Sequence, residues 1–170
     1  TAQTALHFGA NDLDGTITWA DAFSCFLRFR HGRAAFWARA LPLVPLFPAY
    51  LLRLLDRRRL KEQFATAFLG GADLASIDKE TEAFWVGPGA SLLRADALAE
   101  LERRRAEGLR IVIVTACPEI VVVPLAKRLG AELLGTRLEV RDGRLTGRIL
   151  GENCRNAEKV ARLEALCGPG

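Results

Sequence analysis

The sequence predicts an α/β protein with a mainly parallel sheet, and three observations carry this prediction. A short β-branched run at 109–114 follows a charged stretch and Gly108, which is typical of a buried parallel strand. Residues 19–107 contain several stretches with apolar residues at helical spacing. The pair Asp142-Gly143 separates two short apolar runs and predicts a hairpin. With 170 residues, 50% of them hydrophobic, the chain can bury one core, so we expect one compact unit with an insertion.

The first stretch with chemical content is Asp12-Leu13-Asp14-Gly15-Thr16. Residues i and i+2 of an extended segment point to the same side, so the carboxylates of Asp12 and Asp14 are expected to face one site. Two clustered acids suit a hard cation such as Mg²⁺, and one acid can attack phosphorus while its neighbour transfers protons. Gly15 allows a sharp turn, and Thr16 supplies a hydroxyl and an amide. Taken alone, the stretch fits an Asp-Gly turn on a surface hairpin equally well.

Helices are predicted for most of the chain between this stretch and the apolar strand. They are expected at 21–29, 61–69, 74–85 and 91–107. A glycine pair, Gly70-Gly71, separates the second from the third, and the Gly-Pro-Gly run at 87–89 ends the third. The last of the four leads into the strand at 109–114.

Residues 40–52 have an unusual composition, with thirteen uncharged residues that include three prolines. Basic residues follow them at Arg53, Arg57, Arg58, Arg59 and Lys61. Thirteen residues are too few to cross a bilayer as a helix, which needs about 20. The preferred interpretation is that they form a buried core whose solvated end carries the arginines. The other is that 40–61 lies in the headgroup region of an anionic membrane.

Two further residues point to anion binding. Thr115 follows the strand at 109–114, and ligands of open α/β sheets bind at the carboxyl ends of strands. Pro118 suits the first turn of the next helix, whose amides could hold phosphate oxygens beside the Thr115 hydroxyl. Lys159 stands near the start of another expected helix, where the dipole disfavours a cation unless an anion lies in front of it. Separately, they fit a threonine that ends a strand and a solvated lysine.

In this order and separation, the three elements resemble those of the haloacid dehalogenase superfamily of phosphatases. Asp-Leu-Asp-Gly-Thr is similar to motif I, Val-Thr-Ala-Cys-Pro-Glu at 114–119 to motif II, and Lys159 to motif III. The resemblance runs from Asp12 to about Leu166. The stretch 135–154 more specifically resembles subfamily IB, the relatives of phosphoserine phosphatase with a helical cap inserted after motif I.

The resemblance implies a division of the chain. Residues 1–18 and 88–170 would form a Rossmann-like three-layer core with a mainly parallel sheet, and residues 19–87 an inserted helical-bundle cap. The segment 40–61 of that cap is similar to the apolar, proline-bearing cap segment of bacterial phosphatidylglycerophosphate phosphatases.

The resemblance also implies catalytic roles. Asp12 is the implied nucleophile, which forms an aspartyl-phosphate. Asp14 is the implied general acid and base, and its presence points to phosphatases, since the dehalogenases of the superfamily lack this acid. Mg²⁺ is the implied cofactor, held by the Asp12 carboxylate and the Asp14 backbone carbonyl.

Binding roles follow from the same resemblance. The implied ligands of the substrate phosphate are Thr115, Ala116, Lys159, Gly15 and Thr16. The candidate specificity residues are Asp21 and Arg28. Asp21 stands about where phosphoserine phosphatases carry an acid for the substrate amine, although an aspartate is shorter than a glutamate.

The sequence departs from the family pattern in two places. A fourth motif, with an acid that completes the metal site, should follow Leu166, where only 167–170 remain. We therefore expect this chain to be a fragment that lacks the motif IV aspartate. The strand before motif I should be apolar, but 5–11 includes Gly9 and Asn11, which disfavour a strand.

Composition narrows the choice of partners and location. The net charge of +4 suits an anionic substrate or a lipid surface without distinguishing them. No basic stripe with stacking aromatics is visible, which argues against nucleic acid. The four cysteines have no C-x-x-C spacing, so we expect neither zinc nor disulfides, and the expected location is a reducing cytoplasm. Under the second interpretation of 40–61, the protein would also contact the inner membrane face peripherally through this segment. The sequence gives no oligomeric state.

We therefore predict a Mg²⁺-dependent phosphomonoester hydrolase that acts on a small phosphorylated metabolite or a lipid phosphate. The alternative is a non-catalytic or truncated binding module. The missing fourth motif and the irregular strand before motif I favour this alternative, whereas the joint presence of Asp12, Asp14, Thr115 and Lys159 argues against it.

Overall fold

The computed structural model describes residues 8–151 and confirms the predicted α/β class with a mainly parallel sheet. The strands are β1 (Phe8–Asp12), β2 (Arg110–Pro118), β3 (Glu132–Arg141) and β4 (Arg144–Leu150). The α-helices are α1 (Ala22–Ala40), α2 (Leu46–Leu51), α3 (Arg57–Leu69), α4 (Leu74–Val86), α5 (Ala95–Ala106) and α6 (Glu119–Arg128). Short 3₁₀ turns lie at Leu41–Leu43 and Pro88–Leu92.

The sheet has the strand order β1-β2-β3-β4, in which β1, β2 and β3 are parallel and β4 is antiparallel to β3. Strand β1 forms in spite of the poor local propensity of Gly9 and Asn11. It pairs along its whole length with the apolar β2, and such pairing outweighs intrinsic preference. In this register Asp12 lies opposite Val114, so the carboxyl ends of β1 and β2 meet at one edge of the sheet.

Strand β2 is longer than the sequence predicted. We expected it to end at Val114, with Thr115 following it, but the strand continues to Pro118. Its pairing with β3 is irregular between Val114 and Pro118, which marks a bulge. Within the bulge, the Thr115 hydroxyl accepts a hydrogen bond from the Cys117 amide at 3.0 Å. Pro118 is therefore the N-cap residue of α6, whereas we predicted it in the first turn of that helix.

The two faces of β2 bury different residues, because successive side chains point to opposite faces. Ile111 and Ile113 belong to the main hydrophobic cluster, with Leu101 of α5 and Leu125 of α6. Helix α5 lies in the connection from β1 to β2, and α6 forms the connection from β2 to β3. Both connections step across the sheet in the same direction, so right-handed crossovers place α5 and α6 on one face of the sheet. On the other face, Val112, Val114 and Leu134 form a second buried cluster.

The region between residues 21 and 86 is helical, as predicted, and three of its helices begin with the same local device. Asp21, Asp56 and Asp73 precede α1, α3 and α4, and the side chain of each accepts the amide three residues later. Helix α1 extends well beyond the predicted 21–29 and kinks at Gly32, where φ is 74°. Helix α4 is joined to α6, because Trp85 Nε1 donates to the Val121 carbonyl at 2.6 Å.

The predicted burial of the apolar segment is wrong for most of its residues. Only Leu43 is buried, whereas six large apolar side chains are between 49% and 77% exposed: Leu41, Val44, Phe47, Leu51, Leu52 and Leu54. The three prolines leave only a 3₁₀ turn and the six-residue α2, and these turn most of their side chains away from the core. Across residues 8–151, no helix combines the length and the apolar character that a membrane span requires.

The predicted hairpin is confirmed. Asp142 and Gly143 both have positive φ, 48° and 74°, as a two-residue type I′ turn requires. Helix α5, in contrast, begins at Ala95 and not at residue 91, because the preceding chain pairs with the loop after β1. The Arg94 amide donates to the Ile17 carbonyl, and the Trp19 amide to the Leu92 carbonyl, both at 2.9 Å.

We expect Gly147→Ala to destabilise the fold more than Gly143→Ala. Both glycines have positive φ, so an alanine costs about 1 kcal/mol of backbone strain at either position. At Gly147 the added Cβ would also overlap the backbone of Thr66 in α3, which adds about 1–3 kcal/mol. At Gly143 the Cβ would meet open space. Urea unfolding of the two variants measures the difference, and equal losses would show that β4 and α3 do not approach this closely.

Candidate active site

The loop after β1 is fixed by its own backbone. The amides of Ile17 and Thr18 both donate to the Leu13 carbonyl at 2.9 Å, and the Gly15 amide donates to the Thr18 carbonyl at 2.9 Å. Gly15 has a φ of 80°, which favours glycine. Leu13 and Ile17 are buried, whereas Gly15 and Thr16 are exposed. The loop therefore anchors its apolar residues in the core and leaves its polar groups accessible.

Asp14 is an acid of this loop whose pKa is shifted by its surroundings. Its carboxylate accepts the amide of Ala22, the first residue of α1, at 2.9 Å. Burial is the main reason why its pKa is raised; the Ala22 amide opposes this, and the charges of Asp21 and Asp12 raise the pKa further. Asp14 therefore retains its proton to a higher pH than an ordinary aspartate, which suits a proton donor.

Asp12 lies at the carboxyl end of β1 and is exposed. One oxygen of its carboxylate accepts the Leu13 amide at 3.0 Å. The charge of Asp12 is one of the smaller causes of the raised pKa of Asp14, so the two predicted acids are near enough to interact. Their catalytic roles stay predictions.

A cavity of about 260 Å³ lies where the helical region meets the ends of β2 and β3. Polar residues of the helical region and of the sheet with its loops line the cavity: Asp14, Asp21, Ser24, Lys61 and Thr136. Apolar walls complete it, formed chiefly by Leu27, Phe36, Phe64, Leu138 and Ile149. A ligand in this cavity would therefore meet a few charged groups in largely apolar surroundings.

Sequence reasoning missed Lys61 as a site residue, since it grouped this lysine with the basic residues after the apolar segment. Lys61 Nζ donates to the Ala116 carbonyl and, at 3.4 Å, to the Thr136 hydroxyl. Its charge also lowers the pKa of Asp14. One signal could have found it: Lys61 shares a helical face with the apolar residues Ala65 and Phe68, both buried in the structure.

Thr115 is placed differently from the other predicted phosphate ligands. It is fully buried, and its hydroxyl already accepts the Cys117 amide, although the hydroxyl hydrogen can still be donated. Ala116, Cys117 and Pro118 line the cavity instead. Burial raises the pKa of the Cys117 thiol well above its ordinary value, so this cysteine is a neutral wall and not a nucleophile.

The candidate specificity residues differ in their access to the cavity. Asp21 lines it, and the same carboxylate caps α1 by accepting the Ser24 amide at 3.0 Å. Arg28 is exposed, and its guanidinium lies 5.2 Å from the ring centre of Phe36. Lys159, the predicted motif III residue, lies outside the described residues.

Arg94 contacts the loop after β1 and was also missed in the sequence analysis. Its guanidinium donates to the Gly15 carbonyl at 3.3 Å and lies 4.5 Å from the ring centre of Trp19. Asp96 pairs with it at 2.7 Å. Arg94 thus positions the loop without lining the cavity.

The acids of the loop fit a hard divalent cation. Asp12 supplies carboxylate oxygens, and a cation would relieve the repulsion from Asp21 and Asp12 that, after burial, helps to raise the pKa of Asp14. Residues 8–151 contain no cluster of three or more histidine, cysteine or acidic side chains that could hold a metal. This donor set suits Mg²⁺, which binds through one or two carboxylates and keeps several waters.

Known proteins are similar to this chain over most of its length. A family model described as haloacid dehalogenase-like hydrolase matches residues 10–169. Protein CicA of Caulobacter vibrioides is 44% identical over 164 residues, which are 94% of this chain and 72% of that protein.

Solved structures share the fold. A protein with unknown function from Bordetella pertussis Tohama I has a TM-score of 0.80 at 26% identity, over 96% of this chain and 74% of that one. A phosphoserine phosphatase with a phospho-aspartyl intermediate analogue has a TM-score of 0.62 at 17% identity, over 94% of this chain and 70% of that one. At 17% identity the likeness is one of fold alone.

We expect Lys61→Gln to raise the pKa of Asp14, because it removes a positive charge that favours the ionised carboxylate. NMR titration of the Asp14 side-chain carbon measures this directly. Arg59→Gln is the matched control, since it removes the same charge from an exposed position on the same helix. An unchanged pKa in Lys61→Gln would mean that Lys61 does not reach the acid.

Proposed function

Because the chain belongs to the haloacid dehalogenase-like hydrolase family, we propose that it hydrolyses phosphomonoesters, with Asp12 as nucleophile and Asp14 as general acid and base. The observation that carries the proposal is the pairing of these two acids. Asp12 stands exposed at the end of β1, and the half-buried Asp14 beside it has a raised pKa and lines a cavity. An accessible carboxylate next to a carboxyl whose pKa is raised is the combination that suits two-step phosphoryl transfer.

In the first step, an Asp12 carboxylate oxygen attacks phosphorus. The bond between phosphorus and the leaving oxygen breaks, and that oxygen takes the electron pair and the proton of Asp14. The products are an alcohol and an aspartyl-phosphate. In the second step, water attacks phosphorus and gives a proton to Asp14, the bond to Asp12 breaks, and inorganic phosphate leaves. A protein of similar fold carries a phospho-aspartyl intermediate analogue, which supports this route.

Several groups of this chain would hold the phosphoryl oxygens. Lys61 supplies a cation at the cavity wall. The other proposed ligands are the backbone of the loop at Gly15 and Thr16, the amide of Ala116, the hydroxyl of Thr115 and the side chain of Lys159. Mg²⁺, when bound by the Asp12 carboxylate and the Asp14 backbone carbonyl, would offset the negative charge of the phosphoryl group.

The cavity favours a phosphomonoester whose leaving group has an apolar part. Phe36, Phe64 and Ile149 form walls that offer no partner to the ammonium and carboxylate of an amino acid. Asp21 is the charged residue that could bind an amine, and it already caps α1. A phosphorylated small molecule is the substrate class of the neighbours named as phosphoserine phosphatases, whereas the apolar walls support a lipid phosphate for this chain.

We also propose a division of labour within the chain. Residues 19–87 act as a cap over a core formed by 1–18 and 88–170, which is supported by the position of the cavity between helices α1 and α3 and the ends of β2 and β3. The proposed location is the cytoplasm, at the inner face of the membrane, where a lipid phosphate is accessible.

We expect Asp12→Asn to abolish hydrolysis of para-nitrophenyl phosphate, with a loss of about 1,000-fold or more, because the amide cannot form the acyl phosphate. Turnover by the unaltered chain should require Mg²⁺ and stop with excess chelator. Asp142→Asn, an exposed aspartate in the hairpin turn, is the control and should keep full activity. Equal activity in Asp12→Asn would refute the nucleophile assignment, and a folded chain without turnover would favour the non-catalytic binding module.

We expect Asp14→Asn to lower kcat/KM, which reports the first step, much more for alkyl phosphates than for aryl phosphates. An alkoxide needs a proton as it leaves, so losing the acid should cost about 100-fold, whereas para-nitrophenolate leaves readily without one. The asparagine can still accept the Ala22 amide, so the loop should keep its structure. Equal losses on the two substrates would remove Asp14 as the general acid.

A further inference from the structure

Exposed apolar side chains are concentrated in one short part of the helical region. The structure exposes twelve large apolar side chains among the described residues, and seven of them lie between residues 37 and 54. We call these seven the apolar tip: Trp37, Leu41, Val44, Phe47, Leu51, Leu52 and Leu54. They follow each other along the end of α1, the 3₁₀ turn, α2 and the turn after it, so they are concentrated in one short segment and not scattered over the chain. Patches of this kind mark sites of interaction.

The charge around the apolar tip is mainly positive. Residues 22–55 contain five arginines and neither aspartate nor glutamate. Arg33, Arg39 and Arg53 are exposed, and Arg57 and Arg59 follow in the first turn of α3. The exposed Asp56 before that turn pairs with Arg59 and offsets one of these charges. The tip is therefore an apolar surface within a mainly positive border.

We propose that the apolar tip docks on the surface of an anionic lipid bilayer. Leucine, phenylalanine and tryptophan can enter the boundary between headgroups and acyl chains, while arginines next to them contact anionic headgroups. A second copy of the chain is a poorer occupant, because it would bring the same positive charge to the contact. The proposed catalytic activity is not needed for this docking.

The apolar tip is in direct contact with the cavity walls. The ring of Trp37 packs edge-on against Phe36, with centres 5.4 Å apart, and Phe36 lines the cavity. Phe47 packs in the same way against Phe64, a second wall residue, with centres 6.1 Å apart. Docking would therefore place two cavity walls next to the lipid surface.

The experiment is co-sedimentation of the full chain with vesicles of phosphatidylcholine alone or mixed with phosphatidylglycerol, without substrate. We expect binding to the mixed vesicles, little binding to phosphatidylcholine, and weaker binding as salt rises from about 0.05 M to about 0.5 M. The double variant Leu51→Glu/Leu52→Glu should lower the affinity at least 10-fold. Leu51→Glu alone should also lower the affinity. Val86→Glu is its matched control, because it adds the same single charge at an apolar position that is 67% exposed and outside the tip, and its affinity should stay near that of the unaltered chain.

A second measurement tests insertion without an added charge. Lipids with brominated acyl chains should quench the tryptophan fluorescence of the unaltered chain. Trp37→Phe should lose most of this quenching, since Trp85 is buried and Trp19, although 67% exposed, lies outside the tip. The proposal is overturned if mixed vesicles bind no chain, if the glutamate pair and Val86→Glu bind alike, or if Trp37→Phe is quenched as strongly as the unaltered chain. It is also overturned if the unaltered chain self-associates through the tip, with the glutamate pair monomeric and no vesicle binding. A failure of phosphatase activity would leave each of these results unchanged.

Discussion

The parallel pairing of β1 with β2 is the constraint on which the site depends. It sets Asp12 opposite Val114, at the edge where Thr115 and Ala116 also lie. A slip of one residue would turn every side chain of β1, including the Asp12 carboxylate, to the other face of the sheet. Strand β1 is short and has little propensity of its own, so its pairing with the apolar β2 holds the proposed nucleophile in register.

A second dependence links the proposed acid to the helical region. The carboxylate of Asp14 accepts the Ala22 amide, so the first turn of α1 and the loop after β1 form one hydrogen-bonded unit. Lys61 closes the opposite side, because α3 reaches the ends of β2 and β3 through the Ala116 carbonyl and the Thr136 hydroxyl. The burial and the charges that tune the pKa of Asp14 therefore come from the helices as much as from the sheet. Any movement of α3 away from the sheet has to break the contacts of Lys61 and alters the environment of the acid.

Local chemistry explains what could be predicted from the sequence. The turn at Asp142-Gly143 and the helix starts at Asp21 and Asp73 depend on neighbouring residues alone, and their type and approximate position followed from composition. Lys61 could not be found in the same way, because its role depends on contacts more than fifty residues distant in the chain. The bulge that buries Thr115 also arises from pairing between strands, which local sequence does not encode.

The apolar segment shows why hydrophobicity alone does not predict burial. The same leucines fit a buried core or an exposed surface, and the three prolines decide between them by limiting the segment to short turns. Seven exposed apolar side chains are a liability in water unless another surface covers them. The absence of acids from residues 22–55 makes an anionic surface the best complement, and the contacts of Trp37 and Phe47 with cavity walls connect that surface to the proposed substrate site. A bilayer would therefore cover the apolar tip and supply a substrate suited to the apolar cavity. One lipid surface would thus account for the exposed tip and for the apolar cavity walls.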